Sequence, residues 1–173
     1  MIIKRSILLF IPGKDFSEVE YFTIRDYLQK RGVNVFITSD ANNLCTGDNG
    51  FKVKSEVSFF NINENNFSGI VLIGGSGASI YFDNKVLHKL LIRFYSKKKI
   101  IAAICTAPLI LGKAGLLVET PATSHNSVKQ EMLFSRCNFK DFPVVIHNNI
   151  ITANGPGAAV DFASAILNMM ERK

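Results

Sequence analysis

The sequence has no apolar run of about 18 residues or more, the length that a membrane-spanning helix needs. We therefore expect no transmembrane helix and no membrane partner. The segment from Met1 to Phe10 has a short apolar run and no small-residue cleavage site, so a buried strand explains it better than a signal peptide. From this we expect a cytoplasmic protein.

Cysteine is also scarce. Cys45, Cys105 and Cys137 stand far apart, with no C-x-x-C pair. This spacing argues against a disulfide framework and against a zinc site, and the odd number suits a reducing compartment. We expect neither a metal nor another cofactor.

Positive charge is in excess, but it does not form a stripe. Lysine and arginine number 20 against 14 acidic residues, which gives a net charge of +6. The three consecutive lysines from Lys97 to Lys99 are typical of a solvated helix end, where cations complement the helix dipole. Without a basic stripe or a binding motif, we expect no nucleic-acid partner.

Apolar runs typical of buried strands alternate with helical patterns along the chain. With 173 residues, 47% of them apolar, the sequence fits a single domain spanning 1–173. Residues 51–60 fit either a hairpin or an edge strand, and 39–50 form a polar stretch. Strands are expected at 6–11, 33–38, 70–73, 100–104, 144–146 and 150–152, and helices at 18–31, 84–96, 107–113, 127–134 and 158–170. Continuous apolar strands alternating with helices predict an α/β fold with a mostly parallel sheet covered on both faces.

Open α/β sheets place their sites at the carboxyl ends of strands, which directs attention to the residues after Ile11, Ile73 and Ile104. Cys105 follows Ile104 directly and precedes a helix, with small residues on both sides. This pattern resembles a nucleophile elbow, in which a strained turn lifts the nucleophile out of the sheet. The helix N-terminus behind Cys105 predicts a lowered thiol pKa. The alternative is a buried structural cysteine, the interpretation adopted for Cys45 and Cys137.

Two glycines lie at the end of the neighbouring strand. Gly74 and Gly75 can bring bare backbone N–H groups close to a group bound to Cys105, and the N–H of Thr106 could complete an oxyanion hole. An ordinary glycine turn explains the same two residues.

Glu20 is a second chemical candidate, because it begins a helix at the carboxyl edge of the sheet. A carboxyl group beside a thiolate in a partly buried site would have a raised pKa and could donate a proton. The pattern Ser17-x-x-Glu20 also fits a capping box. Among the three histidines, His88 and His147 are expected at the surface, and His125, taken alone, is more typical of a structural residue.

In these residues the sequence resembles the ThiJ/PfpI superfamily, and more closely its DJ-one-like branch of deglycase and glyoxalase III-like proteins. The resemblance covers nearly the whole chain, with five modest motifs in the right order. They are Phe16-x-x-Val19-Glu20; Val71-Leu72-Ile73-Gly74-Gly75; Ala103-Ile104-Cys105-Thr106-Ala107-Pro108; Thr123-Ser124-His125; and Thr152-Ala153-Asn154-Gly155-Pro156-Gly157 with Asp161-Phe162-Ala163.

The resemblance implies a flavodoxin-like three-layer sandwich that forms a homodimer. It implies that Cys105 is the nucleophile, with a protonated Glu20 hydrogen-bonded to its sulfur and His125 nearby. Backbone groups of Gly75 and Thr106 would stabilise an oxyanion. Asp26 would reach the histidine of the partner subunit and orient it.

Three positions depart from the superfamily pattern. Thr106 stands where the PfpI peptidase branch carries histidine, which argues against peptidase activity. Gly47 and Asn154 stand where the closer branch often has arginines, which changes anion binding at the pocket.

The function implied by the resemblance is a cofactor-independent enzyme acting on small reactive carbonyls, such as conversion of methylglyoxal to lactate. A second hypothesis is a redox-sensing stress protein or chaperone that uses oxidation of Cys105. The weakest is a cysteine amidase or peptidase, a hydrolase of the PfpI type.

Overall fold

The computed structural model describes residues 5–40 and 44–172. Its strands are β1 (Ser6–Phe10), β2 (Lys14–Phe16), β3 (Asn34–Ser39), β4 (Leu44–Gly47), β5 (Lys52–Lys54), β6 (Val57–Ser58), β7 (Gly69–Leu72), β8 (Ile100–Ile104), β9 (Pro121–Ala122), β10 (Asn138–Phe139), β11 (Val144–His147) and β12 (Ile150–Ala153). Its α-helices are α1 (Glu18–Gln29), α2 (Lys85–Ser96), α3 (Pro108–Lys113), α4 (Lys129–Phe134) and α5 (Ala159–Glu171).

A seven-stranded sheet with the order β11-β12-β8-β7-β1-β3-β6 forms the centre of the fold. All neighbouring strands in it are parallel except β11 and β12, which form an antiparallel hairpin. The protein is therefore an α/β sandwich with a mostly parallel sheet, as the sequence predicts.

The central strands are buried on both faces. In β1, Ile7 and Leu9 belong to one apolar cluster and Leu8 and Phe10 to another, and all four are fully buried. This separation follows from the two-residue period of a strand. A strand buried on both faces has a continuous apolar sequence, which is why β1, β7 and β8 lie within one residue of their predicted bounds.

Helices cover each face of the sheet. The cluster around Ile7 and Leu9 includes Ile24 of α1 and Phe162 of α5, and these two helices pack against each other. The opposite cluster includes residues of α2, α3 and α4, namely Leu87, Leu91, Phe94, Ile110 and Met132.

Side-chain caps fix the starts of helices α1 and α2. The Oγ atom of Ser17 accepts a hydrogen bond from the N–H of Glu20 at 3.4 Å. Oδ1 of Asn84 accepts from Val86 and Leu87, both at 3.0 Å. These bonds satisfy N–H groups that have no partner inside the helix. The chain leaves α1 through Gly32, whose φ of +76° is a left-handed conformation that glycine adopts without strain.

Strands β2 and β4 were not predicted. They pair in a small sheet with β5, and β4 lies within the polar stretch at 39–50. The segment 51–60, expected to form a hairpin or an edge strand, supplies one strand to each of two sheets: β5 pairs antiparallel with β4, and β6 pairs with β3 at the edge of the large sheet. Strands of two or three residues, such as β2, β5 and β6, are too short to show a clear alternation in a sequence.

The carboxyl ends of β1, β7 and β8 lie side by side. Phe10 is in register with Leu72, and Leu72 with Ala103. After β1 the chain continues to β3 on one side, whereas β7 lies on the other, so the strand order reverses at this point. Such a reversal creates the crevice in which open α/β sheets bind ligands.

None of the helices in residues 5–40 and 44–172 is long and apolar enough to cross a membrane. The side chains of Lys97 and Lys99 are held by contacts with other segments. The Nζ atom of Lys97 lies 2.7 Å from Oε1 of Glu64, and Nζ of Lys99 donates to the carbonyl of Phe67 at 2.8 Å.

Candidate active site

Cys105 lies on a strained turn between β8 and α3. Its φ is +64°, a left-handed conformation that is uncommon for residues other than glycine. Two backbone hydrogen bonds hold this conformation. The N–H of Cys105 donates to the carbonyl of Ala153 at 2.9 Å, and the carbonyl of Cys105 accepts from the N–H of His125 at 2.7 Å. The side chain is partly exposed, whereas Cys45 and Cys137 are buried. This geometry is that of a nucleophile elbow.

The turn after β7 can only be made with glycine at both positions. A Cβ on Gly74 would lie 2.7 Å from Cβ of Cys105 and 2.8 Å from the carbonyl of Ile104. Gly75 has a φ of +106°, and a Cβ there would meet Ser17 N at 2.6 Å. The glycines therefore allow the backbone to approach the elbow closely.

Glu20 lies between these two turns. Its residue surface is 0% exposed, and its Oε2 accepts a hydrogen bond from the N–H of Gly74 at 3.0 Å. The Oε1 atom is buried without a hydrogen-bond partner of conventional geometry among the described residues. Ser17 caps the backbone N–H of Glu20, but the Glu20 carboxyl points into the site instead of completing a capping box.

Burial raises the pKa of the Glu20 carboxyl to about 7. The hydrogen bonds from Gly74 and Cys105 act in the opposite direction, and the charge of Asp48 raises the pKa further. The raised pKa expected from the sequence is confirmed. At neutral pH the carboxyl can therefore both hold and release a proton, which is the property required of a general acid and base.

The pKa of the Cys105 thiol differs from the sequence-based expectation. Burial, and then the charge of Glu20, raises it to about 12, although hydrogen bonds from the backbone of Gly75 and Thr106 lower it. The expectation of a lowered pKa considered only the helix behind the cysteine and left out desolvation. Because protonation of Glu20 removes its charge, the two groups must titrate as a pair.

Two backbone groups from the turns after β7 and β8 face the Cys105 thiol. Hydrogen bonds from the backbone of Gly75 and Thr106 lower the pKa of this thiol, although burial outweighs them. In addition, Oγ1 of Thr106 donates to the carbonyl of Gly75 at 3.1 Å, which ties the glycine turn to the elbow. The arrangement places two N–H donors where negative charge on sulfur or an adjacent oxygen would be stabilised.

His125 is joined to the elbow through its backbone rather than its ring. Its Nδ1 atom lies 2.7 Å from Oγ of Ser127 and accepts from the N–H of Ser127 at 3.2 Å. We assign the ring proton to Nε2 because Nδ1 is an acceptor in this arrangement. His88, expected at the surface, is instead buried, and its Nε2 lies 2.8 Å from the carbonyl of Phe82. That carbonyl lies in the turn before α2, so the helical pattern alone could not reveal the contact.

Asp26 lies on the exposed side of α1, with 50% of its side chain accessible and Nη1 of Arg25 at 3.9 Å. Glu20 on the same helix is fully buried. The two carboxylates therefore face different directions, and Asp26 is free to serve a surface contact.

Two residues near the site were not identified from the sequence. Asp48 accepts from the N–H of Glu18 at 3.3 Å, and Oε1 of Glu18 accepts from Asn49 and Phe51 at 2.9 and 2.8 Å. The Glu18 carboxylate occupies the space that a side chain at Gly47 would need, since a Cβ there would lie 2.5 Å from Oε1. A larger residue at position 47 would therefore require the Glu18 side chain to move. These contacts join α1 to the β4–β5 turn, and because the two segments are distant in the sequence, no local pattern predicts them.

A surface cavity of about 460 Å³ is lined by Ser124, His125, Asn126, Phe139, Asp141, Asn154, Gly155, Pro156 and Gly157. His125 connects it to the elbow, because the backbone N–H of this lining residue donates to the carbonyl of Cys105 at 2.7 Å.

A comparison of the sequence with family models decides the relationship that this geometry suggests. The model of the DJ-1/PfpI family matches residues 5–169. The chain belongs to the DJ-1/PfpI family. It is 29% identical to "Glutathione-independent glyoxalase DJR-1.2" of Caenorhabditis elegans, over 99% of this chain and 91% of that protein. It is 28% identical to "Deglycase PfpI" of Pyrococcus furiosus, over 87% and 90%.

The solved structures agree with this assignment to the DJ-1/PfpI family. The ThiJ/PfpI domain protein of Brachyspira murdochii superposes with a TM-score of 0.95 at 25% identity, covering 98% of each chain. The fold and the family of this chain therefore follow from sequence and structure alike.

Proposed function

We propose that the protein is a cofactor-independent enzyme that converts small 2-oxoaldehydes into 2-hydroxy acids, in the manner of a glyoxalase III or deglycase, with Cys105 as the nucleophile. The observation that most supports this is the fully buried Glu20 carboxyl next to the thiol, with a pKa of about 7. The relatives named glyoxalase and deglycase support the same chemistry.

The first step adds sulfur to the aldehyde carbon. When the shared proton resides on Glu20, the Cys105 thiolate attacks the aldehyde of methylglyoxal and forms a C–S bond. The carbonyl electron pair moves to oxygen, which accepts hydrogen bonds from the N–H groups of Gly75 and Thr106. Transfer of the Glu20 proton to that oxygen gives a hemithioacetal and leaves a carboxylate.

The second step is an internal proton transfer. The Glu20 carboxylate removes the hydrogen from the carbon bonded to sulfur, and an enediol forms. Return of the proton to the neighbouring carbon produces a 2-hydroxy thioester on Cys105. Water then attacks the thioester, releasing lactate and restoring the thiol, so the sequence is redox-neutral and needs no added electron carrier.

His125 would act at the substrate end of the site. Its Nε2–H, left free by the bonds of Nδ1 to Ser127, can donate to the second carbonyl oxygen of a bound 2-oxoaldehyde. This polarises the carbon to which Glu20 returns the proton.

We further propose that the active form is a homodimer in which Asp26 is a positioning residue for His125 of the other subunit. The support is the exposure of Asp26 on a different face of α1 from the buried Glu20. Two identical surfaces related by a two-fold axis would each supply one Asp26.

Oxidation of Cys105 to a sulfinate by two equivalents of a peroxide is the second candidate function. The N–H groups of Gly75 and Thr106 and a protonated Glu20 would hold that anion.

The test is lactate formation from methylglyoxal. The wild type should form lactate, Cys105→Ser should not, and Cys137→Ala should retain activity because Cys137 lies away from the elbow in the opposite cluster. If Cys105→Ser formed lactate at the wild-type rate, the proposed function would be wrong.

A further inference from the structure

The cavity beside the elbow is much larger than a three-carbon substrate requires. Its volume of about 460 Å³ falls within the range of roughly 300–1,000 Å³ typical of small-molecule sites. A single water occupies about 30 Å³ of liquid, and methylglyoxal has only five heavy atoms. Conversion of methylglyoxal would therefore leave most of this space to solvent.

The polar groups on the wall match hydroxyl groups. Asp141 supplies two acceptor oxygens, and the carboxamides of Asn126 and Asn154 each supply one acceptor and two donors. Together with the His125 ring, they can both donate to and accept from a chain of hydroxyls. An apolar ligand would leave these groups without partners, at a cost in free energy for each.

The charge on the wall disfavours an anionic ligand. Neither lysine nor arginine is among the lining residues, so an anionic tail would meet the Asp141 carboxylate without a compensating cation in the wall.

We propose that this cavity is a subsite for the neutral, polyhydroxylated tail of a sugar-derived 2-oxoaldehyde of five or six carbons. The proposal rests on the proposed function of Cys105, because the reactive end of the compound would occupy the elbow while its tail lies against Asp141, Asn126 and Asn154. Asn154 stands where the closer branch of the family often has an arginine. With asparagine at this position, the wall recognises hydroxyls instead of an anion.

Gly157 provides a steric test of the subsite. A Cβ built on this residue meets no heavy atom within 4 Å, so a larger side chain can be introduced without a clash at its base. Gly157→Leu should fill part of the cavity, and Asp141→Ala should remove two acceptors. Glu131→Ala is the matched control, since it removes an exposed carboxylate from α4 that is not part of the wall.

The experiment compares kcat/KM for 3-deoxyglucosone, a six-carbon 2-oxoaldehyde, with kcat/KM for methylglyoxal. The ratio of the two should fall at least about tenfold in Gly157→Leu and in Asp141→Ala, the effect of losing one or two hydrogen bonds, and should not change in Glu131→Ala. An unchanged ratio in both cavity variants would overturn the subsite.

A binding measurement separates this proposal from the proposed function. Ligand-detected NMR with Cys105→Ser protein and the unreactive polyol sorbitol should show saturable binding that Gly157→Leu abolishes. If neither carbonyl compound is turned over, the proposed function fails, and this measurement alone decides the subsite. No saturable binding, or binding that Gly157→Leu leaves intact, would then contradict it.

Discussion

The N–H of Gly74 donates a hydrogen bond to Oε2 of Glu20 across 3.0 Å, so the turn after β7 fixes a carboxyl group that originates in α1. The same glycine allows Cys105 to approach, because its missing side chain would lie 2.7 Å from Cβ of the cysteine. One residue without a side chain therefore brings the acid and the nucleophile together.

Cys105 should be the most reactive thiol, and its reactivity should increase with an apparent pKa near 7. The first proton lost from the Cys105–Glu20 pair leaves at the pKa of Glu20, and a share of the resulting species is thiolate. Iodoacetamide labelling of native protein from pH 5 to pH 9, mapped by mass spectrometry, measures this. Cys45 and Cys137 serve as internal controls because both are buried. Equal labelling of all three would contradict the elbow interpretation.

Ionisation of Glu20 should destabilise the protein as pH rises. The pKa of the carboxyl is raised from 4.5 to about 7 on folding, so its favourable contribution is fully present below pH 4.5 and is lost as pH rises through 7. The full effect is roughly 3.5 kcal/mol, from about 1.4 kcal/mol per pKa unit. Glu20→Gln should therefore gain stability relative to the wild type between pH 4.5 and pH 8 in urea unfolding. If the difference in stability between Glu20→Gln and the wild type stayed constant across that range, folding would not raise the pKa of Glu20.

Gly74→Ala should destabilise the protein by about 1–3 kcal/mol, the usual cost of overpacking, and should also reduce turnover. The added methyl group would meet Cys105 and the carbonyl of Ile104 at 2.7 and 2.8 Å. Thermal unfolding is the measurement, with Gly157→Ala as the control, because a Cβ at that position meets no atom within 4 Å. Equal midpoints for the two variants would mean that the two turns are not in close contact.

Asp26→Ala should lower activity several-fold and weaken the dimer, since the partner's histidine would lose its orienting carboxylate. Sedimentation velocity at micromolar concentration gives the oligomeric state, and kcat and KM give the effect at the site. Asp26→Glu should restore part of the lost kcat if the role is positioning. A fully active monomer would leave Asp26 as an ordinary surface carboxylate.

The elbow was predictable because its signals are local. Cys105 is preceded by an apolar strand and followed by a helix start, and Gly74 and Gly75 end the neighbouring strand, so the order of elements alone places them together. Glu20 was predictable for the same reason. Predicting their positions requires no knowledge of distant contacts, only the rule that the carboxyl ends of parallel strands meet at one edge of the sheet.

The remaining features depend on contacts between distant segments. The carboxylates of Glu18 and Asp48 act between α1 and the β4–β5 turn, where the sequence shows only a polar stretch. The buried position of His88 depends on the Phe82 carbonyl. The raised thiol pKa follows from desolvation, which only the packed structure reveals.

The most direct test of the account is the rate of lactate formation from methylglyoxal at pH 7 by the wild type and by Glu20→Gln. Glutamine can still accept the hydrogen bond from Gly74, but it cannot exchange a proton with the substrate. We predict that kcat falls about 10²–10⁴-fold, the usual contribution of a general acid and base, while the protein remains folded. Wild-type turnover by a folded Glu20→Gln protein would show that Glu20 is only structural and would contradict the mechanism.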